Sequence, residues 1–334
     1  MYCPRIDHFI RLNNNGTIGK CGHMVSPPQF DSWQQMQSSD WLTNLKLKME
    51  HNVWPMECQR CQDTEQISNQ SIRTASLKKH KLLSHFNPQY LILGGVLDNV
   101  CNSACQSCNK NLSTKIGSLH SQNYTIIDNS ALLENIPWPH VIELDLNGGE
   151  PTASPRYQQL LEHLPDSVKI IRVNTNGSRL LPNIHNILKR GVKLIITLSL
   201  DGTGTVHDYV RWPIRWVNYQ SVVEQYKQLR DQYSNLELQA WTVLHALNLS
   251  NFGNIINFCK QNNIGHNWAL LDEPKQLDPK YTNSFTTTAR TLLQNTHPEL
   301  ANSIATMSPN QAEIDLFIGT QDKLRNITIK DYLE

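Results

Sequence analysis

The chain has 334 residues, of which 39% are hydrophobic and 18% are charged, and its formal net charge is +1. This length and composition allow one large domain with a sizeable core and a smaller domain besides. The balanced charge gives no broad attraction for nucleic acid or an anionic membrane, and no apolar run approaches the length of a membrane span.

The first residues, MYCPRIDHFIRL, lack the basic and then apolar pattern of a secretory signal. We therefore expect a cytoplasmic protein in a reducing compartment. Cysteines in such a compartment are more often metal ligands or catalytic groups than disulfides.

Residues 1 to about 88 show no regular alternation of strand and helix, although the stretch 33–50 (WQQMQSSDWLTNLKLKME) can be helical. Four of the eight cysteines lie in this first quarter of the chain. Cys3 and Cys21 stand alone, whereas Cys58 and Cys61 form the pair CQRC.

From Tyr90 onward, short apolar runs alternate with amphipathic stretches. The predicted strands are YLILGGV, VIELDL, VKIIRV, VKLIITLSL, LELQAWTVL and HNWALL. About six serial βα units predict an α/β fold with a parallel sheet and right-handed crossovers. The pattern fades beyond about residue 275, where the tail can pack as helices.

The first predicted strand runs into CNSACQSC, in which Cys101, Cys105 and Cys108 form a C-x3-C-x2-C cluster. A structural zinc site and a [4Fe–4S] cluster each need four ligands. Three thiolates on a cluster leave one iron open to a substrate or cofactor. The spacing favours such a cluster, with zinc as the alternative.

Three consecutive strands end in Asn147-Gly148, Asn176-Gly177 and Asp201-Gly202. Ordinary turn chemistry is one interpretation of these pairs. In a parallel α/β array, however, such turns lie at the carboxyl edge of the sheet, where these folds build their sites. There, Gly148 and Gly149 would let a ligand approach bare backbone, and Glu150 offers a carboxylate beside them.

The cysteine loop after one strand and NGGEP after the next resemble the radical S-adenosylmethionine (SAM) enzymes. The later SLDGTGTVHDYVR resembles their fourth-strand region. The resemblance covers about residues 88–272 and implies a partial (β/α)6 TIM-like barrel. Ser107 departs from the family pattern, which usually has an aromatic residue before the third cysteine.

The resemblance implies that Cys101, Cys105 and Cys108 hold three irons of a [4Fe–4S] cluster, and that SAM chelates the fourth. An electron from an external low-potential donor would cleave SAM to a 5′-deoxyadenosyl radical, which abstracts hydrogen from the substrate. The Gly-Gly-Glu motif at 148–150 would contact the methionyl amino group, and Arg211 would pair with the SAM carboxylate. Asn176 and Ser199 lie at strand ends that usually face SAM.

The N-terminal pattern Cys3-x12-Gly16-x4-Cys21, followed by Cys58-x2-Cys61, is similar to the half-SPASM, or twitch, module of these enzymes. That resemblance implies a second, auxiliary [4Fe–4S] cluster. The module usually follows the barrel, whereas here it precedes it. A structural zinc site is the alternative.

An auxiliary cluster implies oxidation or bond formation, with a peptide as the leading substrate. One alternative is a radical SAM dehydrogenase of a sugar or another small molecule. Another is an iron–sulfur or zinc protein that transfers electrons without SAM chemistry. We expect a twitch-like module over 1–88, a radical SAM core over 89–275 and an extension of unknown role over 276–334.

Other residues have plainer interpretations. Cys259 is predicted to be a buried thiol in a helix. His207, close to Asp201-Gly202, could lie near the site. Asp272 and Glu273 follow the last strand and could bind a substrate amine or act as a base, or they could simply lie in a solvated loop.

Overall fold

The structure is a computed structural model that describes residues 1–68, 71–120, 124–279, 284–304 and 311–333. The chain divides into two compact units. The first unit contains Met1–Val100, Ile126–Val173 and His185–Leu194, and the second contains Cys101–Thr125, Asn174–Ile184 and Ile195–Glu334. The predicted domain limits at residues 88 and 275 stay predictions.

The described residues form eight strands. They are β1 (Phe9–Leu12), β2 (Ile18–Gly19), β3 (Leu91–Val96), β4 (Val141–Asn147), β5 (Ile170–Thr175), β6 (Lys193–Ser199), β7 (Leu236–Leu244) and β8 (Gly265–Leu270). Their order is β2-β1-β3-β4-β5-β6-β7-β8 in a mostly parallel sheet. The mixed α/β class is thus confirmed, while the partial barrel stays a prediction.

The α-helices of the described residues follow in chain order. They are α1 (Pro4–His8), α2 (Trp33–Gln37), α3 (Asp40–Glu50), α4 (Gln59–Ser68), α5 (Ile72–Leu83), α6 (Thr114–Leu119), α7 (Pro155–Glu162), α8 (Ile184–Lys189), α9 (Gly204–Val210), α10 (Trp216–Gln232), α11 (Phe252–Gln261), α12 (Ser284–Thr296), α13 (Pro298–Ser303) and α14 (Gln311–Arg325). Short 3-10 helices span Met56–Cys58, Ser130–Asn135, Trp138–His140, Leu249–Asn251, Lys275–Leu277 and Ile329–Asp331.

All six strands predicted from Tyr90 onward are present as β3 to β8. In the first unit, β1 pairs in parallel with β3, and β3 pairs in parallel with β4. In the second unit, β7 and β8 pair in parallel from Gln239↔Gly265 to Leu244↔Leu270. β3 is apolar and almost wholly buried, as parallel strands are when both faces of their sheet are covered, whereas no residue of β8 is fully buried.

The N-terminal segment is more regular than its sequence indicates, because it contains helices and the strands β1 and β2. The four residues of β1 are too few to show a strand period, so the sequence gives no signal for them. The predicted helical stretch 33–50 is present but interrupted. Ser39 begins α3 because its side chain accepts a hydrogen bond from the Leu42 amide, 3.2 Å away.

Each unit has apolar clusters of its own. In the first unit, one cluster joins Leu42, Leu45 and Met49 of α3 to Cys3 and Cys58. In the second unit, one buried cluster unites α12 and α13 with the start of α11, and another surrounds α14 and the chain end. The helical tail expected beyond residue 275 is therefore present. Residues 280–283, 305–310 and 334 of the predicted extension lie outside the described residues.

Candidate functional site

The cysteine loop begins after β3, as predicted, and its second and third cysteines belong to one irregular stretch of the second unit. Cys105 is buried, whereas Cys101 and Cys108 are half-buried. The hydroxyl oxygen of Ser103 lies 3.3 Å from the sulfur of Cys101 and 3.6 Å from that of Cys105. Burial, followed by the neighbouring Cys105 and Cys101, raises the pKa of Cys108 to about 12. A bound metal would reverse this preference for the thiol form, since metals bind thiolates.

Asn176, which follows β5, holds this loop. Its side-chain amide donates to Asn102 Oδ1 at 2.8 Å and to Ser103 Oγ at 3.2 Å. Asn102 in turn donates to the hydroxyl of Ser178 at 3.0 Å. The Asn-Gly turn after β5 is therefore a support for the cysteine loop.

The segment after α9 supports the same loop through its backbone. The amide of Ala104 donates to the carbonyl of Trp212 at 2.7 Å, and that of Gln106 donates to the carbonyl of Val210 at 2.9 Å. Arg211, predicted to bind the SAM carboxylate, stands between these two carbonyls in the sequence. These two bonds fix the backbone of Arg211 relative to the cysteine loop.

The side chain of Arg211 is 11% exposed, and its Nη1 donates to Asp201 Oδ2 at 2.9 Å. Burial opposes the charge of Arg211, but Cys105 and Asp201 outweigh burial and raise the pKa of the guanidinium. Within the described part of the chain, the buried Nε of Arg211 has no hydrogen-bond partner. Arg211 is therefore a permanent cation with a free donor, and the carbonyls on both sides of it bind the amides on both sides of Cys105.

Aromatic rings pack around His207, which lies one turn before Arg211 in the sequence. The ring of His207 packs 5.3 Å from that of Trp216 and 4.7 Å from that of Tyr219. Burial, followed by the charge of Arg211, lowers the pKa of His207 to about 3, so the imidazole is neutral at pH 7. The prediction that His207 lies near this site agrees with the influence of Arg211 on its pKa.

An open cleft of 520 Å³ also lies within the second unit, beside the third cysteine. Its lining residues are Ser107, Cys108, Asn109, Lys110, Ile116, His120, Glu273, Pro274, Phe317 and Gln321. Glu273 thus shares a cleft with Cys108, whereas Asp272 is exposed and does not line it. The volume is in the range of small-molecule and peptide pockets.

The Gly-Gly-Glu motif lies in the first unit, directly after β4. The amide of Gly149 donates to the carbonyl of Asp98 at 3.0 Å, and that of Glu150 donates to the carbonyl of Val100 at 2.7 Å. Gly148 has φ +140°, and a Cβ on Gly149 would collide with the Val100 carbonyl oxygen. Both glycines are therefore needed for close backbone approach to the residues that precede Cys101 in the sequence.

The side chain of Glu150 is buried, and its Oε1 accepts from the amide of Thr152 at 3.0 Å and from its hydroxyl at 2.7 Å. Tyr157 supports the same turn, because its hydroxyl donates to the Asn147 carbonyl and accepts from the Leu97 amide at 3.2 Å. The carboxylate is thus fixed in one orientation at the end of β4.

The four N-terminal cysteines, also in the first unit, lie near one another. Cys3 precedes α1, Cys58 ends a 3-10 helix, and Cys61 lies in α4. Burial, followed by Cys3, Cys21 and Cys61, raises the pKa of Cys58 to about 12. Burial also raises the pKa of Cys3 to about 11, with Cys21 and Cys61 adding to the shift. Cys3 and Cys58 also share one apolar cluster, against which Cys21 packs. The four-cysteine ligand set stays a prediction.

Two arginines lie near the four N-terminal cysteines. The Nη1 of Arg5 lies 3.9 Å from the Cys21 sulfur. Cys3 and Cys61 contribute to a raised pKa of Arg73, after its hydrogen bond to Glu65. Cations around clustered thiols lower the cost of forming thiolates, so the donor chemistry fits an anionic iron–sulfur cluster.

Among the described residues, no three or more histidine, cysteine, aspartate or glutamate side chains are already arranged to hold a metal ion. No helix in the described ranges is both long and apolar enough to cross a membrane. Ser199 is the last residue of β6, as predicted, and is half-buried. Cys259 is buried in α11, which confirms the plain interpretation of that thiol.

Sequence reasoning assigns no role to Asp201, Ser103 or Arg325, although each contacts the loop or Arg211. Asp201 lies in one of the predicted strand-end turns, ten positions before Arg211, but that spacing matches no local helix or strand period. Arg325 is 221 residues from Ala104, and no sequence signal links the two.

No family model matches the chain, and no curated protein matches it. Solved structures do resemble it. Hexahistidine-tagged anSMEcpe with bound AdoMet has a TM-score of 0.43 at 16% identity, over 65% of this chain and 62% of that one. Streptococcus suis SuiB bound to S-adenosylmethionine has a TM-score of 0.43 at 13% identity, over 90% and 71%. SuiB bound to its precursor peptide SuiA has a TM-score of 0.44 at 15% identity, over 91% and 71%.

The chain thus spans less than two thirds of the length of anSMEcpe. Likenesses with TM-scores below 0.5 do not decide what a chain binds or does.

Proposed function

We propose that this chain is a radical SAM enzyme in which Cys101, Cys105 and Cys108 hold a [4Fe–4S] cluster. One observation carries the proposal: the buried guanidinium of Arg211 has a free donor, and its backbone neighbours are bonded to those of Cys105 in a loop with three thiols. Three thiolates leave one iron for an external ligand, and a buried arginine suits the carboxylate of such a ligand.

SAM combines the two groups that this arrangement calls for, an amino acid end to chelate the open iron and a carboxylate to pair with Arg211. When bound, the cluster and SAM supply a 5′-deoxyadenosyl radical that abstracts hydrogen from the substrate. Arg211, held by Asp201, would orient the carboxylate. The packed rings of His207, Trp216 and Tyr219 would exclude water from this side of the cofactor.

The remaining assignments follow from the motif resemblance. Gly148 and Gly149 would offer backbone to the methionyl amino group, and Glu150 would accept a hydrogen bond from it. Ser199, at the end of β6, would face SAM. Asn176 would act on SAM indirectly, since its side chain is bonded to Asn102 and Ser103 of the cysteine loop.

We propose further that Cys3, Cys21, Cys58 and Cys61 hold an auxiliary [4Fe–4S] cluster. Their mutual pKa effects and the nearby Arg5 and Arg73 support this ligand set. Held by these cysteines, such a cluster would supply an electron acceptor or a binding point for substrate, which favours oxidation or bond formation as the reaction. The low-potential electron donor would be a separate protein or reductant.

A peptide is the proposed substrate class. The open cleft beside Cys108 has apolar walls at Ile116 and Phe317 and charges of both signs at Lys110 and Glu273. Such a lining suits a peptide segment with mixed side chains better than a uniformly polar sugar.

The proposal is tested with the triple variant in which Cys101, Cys105 and Cys108 become alanine. After anaerobic reconstitution and reduction, wild type is expected to cleave SAM to 5′-deoxyadenosine, and the triple variant is expected to produce none. Cys259→Ala, which removes a buried thiol from α11, is the control and should keep the activity. Cleavage of SAM by the triple variant at the wild-type rate would overturn the site.

A further inference from the structure

The last residue of α14, Arg325, reaches the cysteine loop of the second unit from the far end of the chain. Its side chain is buried, and the residue is 4% exposed. Its Nε donates to the carbonyl of Ala104 at 2.9 Å, and its Nη2 donates to that of Cys105 at 3.3 Å. Two nitrogens of one planar guanidinium thus hold two consecutive carbonyls of the loop.

The guanidinium is itself held in place. Its Nη1 donates to the backbone oxygen of Gln321 at 2.9 Å and to Gln321 Oε1 at 2.6 Å. One turn before it, Asp322 Oδ1 accepts from the hydroxyl of Tyr209 at 2.8 Å, and Oδ2 accepts from the amide of Ile329 at 2.7 Å. All three nitrogens of Arg325 therefore donate hydrogen bonds. The bond between Asp322 and Tyr209 links α14 to α9 one turn before Arg325.

The loop is consequently held from two sides. Its amides at Ala104 and Gln106 donate to the carbonyls of Trp212 and Val210, while its carbonyls accept from Arg325. Hydrogen bonds to a charged donor are stronger than neutral ones. Arg325 therefore adds two charge-assisted bonds to the two backbone bonds that hold the loop.

The charge of Arg325 lies against the backbone of Cys105, to whose carbonyl its Nη2 donates at 3.3 Å. Burial lowers its pKa, whereas Cys105, Tyr209, Asp322 and Cys108 oppose that shift. Arginine nevertheless stays protonated in proteins. A buried cation is stabilised by nearby negative charge, and thiolates at Cys105 and Cys108 would supply it.

We propose that Arg325 is a positioning residue for the cluster: it fixes the backbone of the cysteine loop and, through its charge, favours the reduced cluster. The second part rests on the function proposed above. Reduction adds one electron to the cluster, so a fixed positive charge beside it stabilises the reduced form and raises the reduction potential.

Full-length Arg325→Gln and Arg325→Lys separate the two effects, with Lys323→Gln as the matched control. Lys323 is exposed on the same helix, so that change removes one positive charge without a contact to the loop. Hydrogen exchange of the Ala104 and Gln106 amides is measured on the metal-free chain. It is expected to become about tenfold or more faster in both Arg325 variants and to stay unchanged in the control.

The reduction potential of the reconstituted, SAM-sensitive cluster is then measured by EPR-monitored titration. Arg325→Gln is expected to shift it to a more negative value, while Arg325→Lys, which keeps the charge, stays close to wild type. If Arg325→Gln fails to fold, hydrogen exchange in Arg325→Lys alone decides the positioning role. Unchanged exchange in Arg325→Lys overturns that role, and an unchanged potential in a folded Arg325→Gln overturns the electrostatic one.

These outcomes differ from a failure of the proposed function. If wild type binds no iron, the function fails, yet hydrogen exchange on the metal-free chain still reports whether Arg325 holds the loop.

Discussion

At the scale of single residues, Arg211 and Asp201 show how charge is kept inside the second unit. The pair is nearly removed from water, at 11% and 4% side-chain exposure. Its oxygen and nitrogen are 2.9 Å apart, and Asp201 Oδ1 also accepts from the Val243 amide at 2.8 Å. Removing one member of such a buried pair lowers the stability of the protein, because the remaining charge then lacks its partner.

Replacing Arg211 by Gln is expected to weaken SAM binding by about 10- to 100-fold, because a charged hydrogen bond is worth about 1.5–3 kcal/mol. Equilibrium dialysis on the reconstituted protein measures the affinity, and thermal unfolding checks that the variant is folded. Arg215→Gln is the control, since the Arg215 side chain is 58% exposed. Equal affinities of the two variants would remove Arg211 from the SAM site.

An ion pair of the first unit predicts a pH effect on stability. Arg156 Nη2 lies 2.6 Å from Asp128 Oδ2, and this hydrogen bond lowers the pKa of Asp128 from its ordinary 3.8 to about 2. Because the folded pKa is the lower one, the stabilisation is fully present above pH 3.8 and is lost as the pH falls toward about 2.

Asp128→Asn should therefore lose less stability than wild type across that interval, as measured by the urea midpoint of the metal-free protein. The effect is modest because the Asp128 side chain is 42% exposed. Asp166→Asn is the control, since Asp166 pairs with Arg190 in full contact with solvent. An identical acid response of wild type and Asp128→Asn would show that the pair does not contribute.

At the scale of elements, the turns that follow the strands hold the backbone in and before the cysteine loop. Gly149 follows β4, and its amide donates to the carbonyl of Asp98, which precedes the cysteine loop in the sequence. Asn176 follows β5 and bonds to the loop itself. The predicted strand-end turns are thus structural supports as well as candidate ligand contacts.

Gly149→Ala is expected to destabilise the protein by about 1–3 kcal/mol, because the new Cβ would meet backbone that must shift. The contrasting change is Gly253→Ala in α11, where nothing lies within 4 Å of an added Cβ. That variant should gain about 0.5 kcal/mol or more from helix propensity. Urea unfolding of both variants measures the difference, and equal stabilities would contradict the close approach at Gly149.

The strands and turns could be predicted from sequence because each depends on local periodicity and turn chemistry. The motif of Cys101, Cys105 and Cys108 is visible in the sequence because its members are close together, and its role as a ligand set stays a prediction. The support of the loop by Arg325 could not, since it depends on how α14 packs in the second unit. The short strand β1 could not be predicted for a different reason: four residues are too few to show a period.

At the scale of the whole molecule, seven cysteines form two groups and the eighth is buried in α11. The N-terminal group belongs to the first unit and the group at 101–108 to the second. Each group has arginines near it, and the proposed function expects a separate cluster at each. The account therefore requires two metal centres, of which one responds to SAM.

The most direct measurement is the iron and zinc content, with EPR, of protein purified and reconstituted without oxygen, before and after SAM is added. About eight irons per chain, with a reduced-cluster signal that changes on addition of SAM, are predicted for two [4Fe–4S] clusters. About four irons with one zinc would make the N-terminal group structural. Protein that contains zinc without iron would contradict the central claim of a SAM-binding cluster. An EPR signal that stays the same when SAM is added would contradict it as well.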